Sequence, residues 1–146
     1  MLVMIWIGEM MRLRTYSELM TLRTFDERFE YLALHGSIGI VTFGSDRFLN
    51  QDFYNSWDWR SVRNKIIIRD NACDLAIPGR DIFGAIRIHH MNPVLLEDLE
   101  DGNPAILDPE FLICSSLDTH NALHFGNSKN LTRLPTERRK GDTKLW

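Results

Sequence analysis

Four histidines, His89, His90, His120 and His124, are the side chains whose type and spacing suit chemistry, and that chemistry is metal coordination beside a free base. His120 and His124 stand at i and i+4. On a helix the two imidazoles project from one face, a turn apart, and converge on one ion. Neutral imidazole nitrogen ligates zinc and similar transition metals at about 2.0–2.1 Å. His89 and His90 are adjacent, and on a strand successive side chains point to opposite faces. One of the pair then serves as ligand and the other stays unbound, able to accept a proton. An isolated H-x3-H spacing or a lone His-His pair arises easily by accident. A strand-end pair and a capped helix separated by one loop is a more demanding pattern.

The elements that position these side chains read as an α+β fold. Pro78-Gly79 signals a turn, and Ile86 and Ile88 alternate toward His90, so a hairpin is expected around residues 73–90. Pro93 ends the second strand, and a long polar, acidic loop leads to Pro109. Phe111 to Cys114 is apolar again, and Asp118 is expected to cap a short helix from Thr119 to about Phe125, stopped by Gly126. Upstream, Thr15…Glu18 and Thr24…Glu27 have capping-box spacing, and Phe25, Phe29 and Leu32 recur at helical spacing up to Gly36. His35 falls at that helix end, where an imidazolium complements the dipole. Ile38 to Phe43 reads as a short strand and Gly44 to Asn55 as a polar stretch. Ser56 is expected to cap a helix to about Arg69, with Trp59, Val62 and Ile66 on one face and Arg60, Arg63 and Asn64 on an adjacent one.

Composition bounds the function. With 44% apolar and 25% charged residues in 146, the chain has the balance of an ordinary globular protein. Cys73 and Cys114 stand far apart, which excludes a disulfide framework and a cysteine-based zinc knuckle. A reducing, cytoplasmic setting is expected. Met1 to Gly8 is apolar but too short to span a bilayer and lacks the flanks of a secretory signal. It reads either as a strand or, preferably, as an extension upstream of a start at Met10 or Met11, and no membrane partner is expected. The net charge of −3 does not advertise nucleic-acid binding, yet the charges are segregated. Arg60, Arg63, Lys65 and Arg69 cluster before Asp70, and Lys129, Arg133, Arg138, Arg139, Lys140 and Lys144 fill the last twenty residues, whereas acids gather between Glu97 and Glu110. On charge alone, solvated faces and phosphate contacts fit equally.

The flanking residues resemble a known family. Phe53-Tyr54-Asn55-Ser56, with Trp59, Arg63, Ile67 and Arg69-Asp70-Asn71, looks like the helix before the catalytic hairpin of phage-encoded HNH endonucleases. Ile88-His89-His90-Met91-Asn92-Pro93 is similar to the family's strand, which usually reads Asp-His followed by proline. Asp108-Pro109-Glu110-Phe111-Leu112-Ile113-Cys114 resembles the segment leading into its helix, and His120-Asn121 the helix's histidine. The doubled histidine with H-x3-H is similar to the nuclease colicins. The likeness runs from about residue 53 to 126. The chain as a whole, Arg14-Thr15-Tyr16-Ser17-Glu18-Leu19 included, also looks like small HNH-annotated proteins in phages of Gram-positive bacteria.

The resemblance implies a ββα-metal finger over residues 53–126, preceded by an extension (1–13) and a helical support (14–52) and followed by a basic tail (127–146). His89, His120 and His124 correspond to ligands of one divalent ion, and His90 to the general base that activates water for phosphodiester hydrolysis. Arg87, on the same strand, either clamps the scissile phosphate or is a surface residue. Arg60, Arg63, Lys65, Arg138, Arg139 and Lys140 are expected to contact double-stranded DNA, and Asp118 to act as helix cap rather than ligand. Phe111 stands where the family has its middle Asn, and His89 where it has Asp. An all-imidazole site suits zinc, nickel or cobalt better than manganese or magnesium. If His90 keeps the unperturbed value, activity rises with pH through roughly 6.5. Two other readings stay open: a metal-stabilised binding module without catalysis, and a metal-free structural protein of a phage. Packaging proteins are partners by family analogy only.

Overall fold

Side-chain caps start the helices that the sequence predicts. In the computed structural model, residues 12–34, 47–125, 128, 129, 131 and 143–144 are described. Thr15 accepts from the Glu18 amide and opens α1 (Tyr16–Leu19). Thr24 and Glu27 exchange both bonds of a capping box at the start of α2 (Phe25–Leu32). The apolar run before Met10, His35 and Gly36, the strand expected at 38–43, Gly126, and the tail residues Arg133, Arg138, Arg139 and Lys140 lie outside the described residues.

The polar stretch expected up to Asn55 contains a helix instead, α3 (Arg47–Asn55). Asn50, Asp52 and Asn55 are turn formers by propensity, but Phe53 packs its ring 5.2 Å from Trp59, and tertiary packing decides. Ser56 then caps α4 (Trp57–Arg69), accepting from the Trp59 amide. Asn71, in the left-handed region with φ 53, follows the end of that helix.

Only the first half of the hairpin expected at 73–90 forms. β1 (Cys73–Asp74) pairs antiparallel with β2 (Arg80–Asp81), and the chain then leaves that ribbon. Gly84, at φ 91, opens β3 (Gly84–Ala85), which pairs in parallel with β6 (Thr143–Lys144). The strand that carries the histidines, β4 (Arg87–His90), takes its partner from the far side of the long loop. It pairs antiparallel with β5 (Leu112–Ser115), in the register Arg87↔Ser115 to His90↔Leu112. The intervening segment is not plain loop: it holds α5 (Leu96–Glu100) and two 3-10 turns at Pro104–Leu107 and Pro109–Phe111.

All four residues of β5 are buried because the strand divides two cores. Leu112 and Cys114 face Trp59, Ile66, Ile67 and Ile86, while Ile113 faces Leu19, Leu32, Met91 and Leu123. Full burial of each such side chain contributes about 1.5–3 kcal/mol. Arg69 fastens the layers together. It pairs with Asp70 at 2.7 Å, donates to the carbonyls of Pro109 and Leu112, and lies 3.7 Å from the Tyr16 ring centroid. Asp70 in turn accepts from the Cys114 amide at 2.8 Å. Asn92, two residues past His90, clasps the backbone N–H and carbonyl of Arg14, each at 2.8 Å.

The last described helix, α6 (Leu117–Phe125), begins two residues before the expected Thr119. Its cap is Ser116, not Asp118: Ser116 Oγ accepts from the Thr119 amide at 3.3 Å. Asp118 sits exposed inside the first turn, where its charge complements the helix dipole without closing a cap. Behind Ser116, buried Asp74 accepts from its amide and hydroxyl, which pins the start of the helix to β1. Among the described residues no helix is long and apolar enough to cross a membrane.

Candidate metal centre

Strand alternation in β4 sends neighbouring histidines to opposite sides. His89 is 0% exposed and faces α6, while His90 faces α4. The helical spacing of His120 and His124 presents both rings to His89. The ring centroids lie 5.3 Å (His89–His120), 5.2 Å (His89–His124) and 4.5 Å (His120–His124) apart. Interplanar angles of 85°, 81° and 64° set the three rings edge to face. One nitrogen from each ring falls within 4.8 Å of the others, close enough to hold a metal ion. Nε2 of His120 and Nε2 of His124 are 3.2 Å apart. This is the distance of a hydrogen bond between the two rings, and it also suits two nitrogens that share one ion in place of one proton.

The donor set also fits on energetic grounds. Both ring nitrogens of His89 are buried without a hydrogen-bond partner, and so is Ser115 Oγ on the neighbouring strand. A buried polar group left unpaired costs about 1–3 kcal/mol. A cation at the imidazole lone pair is the simplest relief for His89. Burial, and then the proximity of His120 and His124, holds the His89 pKa well below its ordinary 6.5. Burial and then His124 lower His120 to about 4, with a smaller push from Arg87. Burial lowers His124 too. All three are therefore neutral near pH 7, the form in which imidazole ligates.

His90 is held apart from this group. Its Nε2 lies 3.0 Å from the carbonyl oxygen of Ile106. A carbonyl only accepts, so Nε2 carries the proton and Nδ1 keeps the lone pair. The ring stacks on Trp59 with centroids 5.3 Å apart and planes 15° apart, and Phe53 and Tyr54 flank it at 6.3 Å and 6.5 Å. Burial lowers its pKa to about 4, against the opposing pull of the Ile106 hydrogen bond. The expectation of a titration near 6.5 is thereby corrected: His90 is neutral across the whole neutral range.

The basic residues are less well gathered. Arg87 is exposed and, two residues before His89, shares its face of the strand. Arg63 turns inward and donates to the Ile86 carbonyl at 3.3 Å, fixing α4 to the approach to β4. Arg60 and Lys65 are exposed but stand about 140° apart around the helix, so no continuous basic stripe forms. Sequence reasoning placed Trp59 in the core and missed its contact with His90; it quoted Asn92 without giving it a role and passed over Asp74. No local pattern signals these roles, because the contacts of Trp59 with His90, Asn92 with Arg14 and Asp74 with Ser116 each cross more than thirty residues of chain.

The depressed histidines set a sign for stability. Folding keeps four imidazoles below the unfolded value of about 6.5, so the unfolded chain binds more protons as the solution is acidified. Their contribution is fully present above about pH 6.5 and is lost as pH falls toward 4. Asp74, whose carboxyl is raised by burial, carries the opposite sign but is one group against four. Denaturant titrations of chelator-treated protein are expected to give a lower midpoint at pH 5 than at pH 7. An equal or higher midpoint at pH 5 contradicts the buried, neutral cluster.

Comparison with family models, curated proteins and solved structures finds no match. The arrangement of the site itself must therefore carry the functional argument.

Proposed function

We propose that this chain is a metal-dependent DNA endonuclease of the HNH type, with β4, β5 and α6 forming a ββα-metal finger. The observation that carries the reading is the division of labour at β4. Three neutral imidazoles converge on one side, including a His89 with no other use for its buried nitrogens, and on the other His90 keeps a lone pair on Nδ1. Phosphodiester hydrolysis needs those two functions together, a base for water and positive charge at the phosphate.

His89, His120 and His124 would hold the ion. When bound, it supplies Lewis acidity at the phosphate and charge against the leaving 3′ oxygen. His90 accepts the proton of the attacking water at Nδ1 while its Nε2–H stays on the Ile106 carbonyl, so the ring does not turn during transfer. Arg87, on the face of His89, adds positive charge for the phosphate. The basic residues Arg138, Arg139 and Lys140, with whichever of Arg60 and Lys65 faces the duplex, contact the backbone of double-stranded DNA, which makes binding salt-dependent. An all-imidazole site favours zinc, nickel or cobalt.

The test is cleavage of supercoiled plasmid by purified protein loaded in turn with zinc, nickel, cobalt, manganese and magnesium. Relaxed or linear product is expected with at least one ion and none in chelator. Protein that cuts no faster with any ion than with chelator rejects the reading. One observation favours a second reading, a metal-stabilised binding module: Phe111 occupies the position of the middle Asn in the family the chain resembles. Metal-loaded protein that retains plasmid in a mobility shift without cutting it establishes that module.

A further inference from the structure

We propose that Trp59 is a positioning residue for His90, its indole face setting the plane of the imidazole so that the Nε2–H meets the Ile106 carbonyl and Nδ1 is left free. The inference rests on the nuclease reading for its consequence in catalysis, though not for its geometry.

Three observations support it. First, the indole and imidazole planes lie within 15° of each other at 5.3 Å, whereas the other two aromatic neighbours of His90 stand at 45° and 66°. Trp59 alone among the three offers a flat wall. Second, Trp59 is itself held from several directions. It is 5% exposed, and Phe53 and Tyr54 contact its ring at 5.2 Å and 5.1 Å. Its amide donates to Ser56 Oγ at 3.2 Å, and the same hydroxyl donates to the Phe53 carbonyl at 2.6 Å. The wall is therefore part of a rigid junction between α3 and α4. Third, the hydrogen bond to Ile106 fixes one point of the His90 ring, which still leaves it free to swing about that point. A stacked face removes this remaining freedom. A hydrogen bond and a plane together define the direction of the Nδ1 lone pair, and a base that is misdirected by about 1 Å loses on the order of 100-fold in rate.

Trp59→Phe keeps a flat ring, and Trp59→Leu removes it. With zinc-loaded protein, Trp59→Leu is expected to lower kcat for plasmid cleavage by about 10–100-fold, leaving KM for DNA and zinc affinity within about twofold of wild type. Trp59→Phe is expected to recover to within about threefold. A loss from misfolding shows instead as reduced zinc stoichiometry in the affected variant, and the comparison then rests on Trp59→Phe and the NMR readout. The readout independent of cleavage is NMR of the imidazole C–H protons. The stacked indole shifts the His90 signals upfield in wild type, the shift persists in part in Trp59→Phe, and it vanishes in folded Trp59→Leu. Unmoved His90 resonances in Trp59→Leu, or an unchanged kcat in that variant, overturn the proposal. Wild-type protein that shows the shift but cuts no DNA supports the positioning of His90 and removes the nuclease reading alone.

Discussion

His90→Ala is expected to lower metal-dependent plasmid cleavage by about 10²–10⁴-fold, the usual contribution of a positioned general base, while zinc still binds with wild-type stoichiometry. The separation of effects follows from strand geometry. His90 leaves β4 on the side of Trp59, and the three convergent imidazoles lie on the other. Deleting the His90 ring removes one hydrogen bond to Ile106 and a stacking contact, which costs the fold about 1.5–4.5 kcal/mol, and it takes no ligand from the cluster. The rate is read under saturating zinc and at pH 7, where the wild-type ring, lowered to about 4, is neutral and able to accept a proton. Undiminished cutting by His90→Ala would falsify its assignment as the base. A variant that loses zinc along with activity would mean that the two sides of the strand are not independent.

What the sequence disclosed and what it hid follow from the range of the interactions involved. The convergence of His120 with His124 was legible because a helix repeats every 3.6 residues. The separation of His89 from His90 was legible because a strand alternates every two. Thr15, Thr24 and Ser56 announced helices through bonds that span three residues. β5 was not legible. Leu112 to Ser115 is a four-residue strand buried on both faces, and a short apolar run with no alternation does not distinguish a strand from a buried helix segment. Its pairing with β4 also crosses the whole segment from Met91 to Phe111. The cap of α6 was misread by two residues because Ser116 and Asp118 are both good cap formers, and the Asp74 contact that favours Ser116 comes from 42 positions away. Arg63 looked like a surface cation on a helical wheel. Only the tertiary fold supplies the Ile86 carbonyl that draws it inward.

Removing the metal is expected to produce the largest change in stability. An ion that binds the folded chain alone stabilises it by about 4 kcal/mol at a free concentration of 1,000 times Kd. For a chain of this size about 1 kcal/mol moves the melting temperature by about 3–4 °C, so zinc-loaded protein should melt about 12–16 °C above the same protein in chelator. His120→Ala and His124→Ala should each abolish that increment. His89→Leu separates a ligand from an ordinary core histidine by a change of sign. Leucine has nearly the same volume and no polar atoms, so in chelator it relieves two orphaned nitrogens at a site that is 0% exposed. The variant is therefore expected to melt at or above wild type without metal and clearly below it with zinc. If His89 were only a core residue, His89→Leu would be at least as stable as wild type in both solutions, and the two melting curves would not cross over.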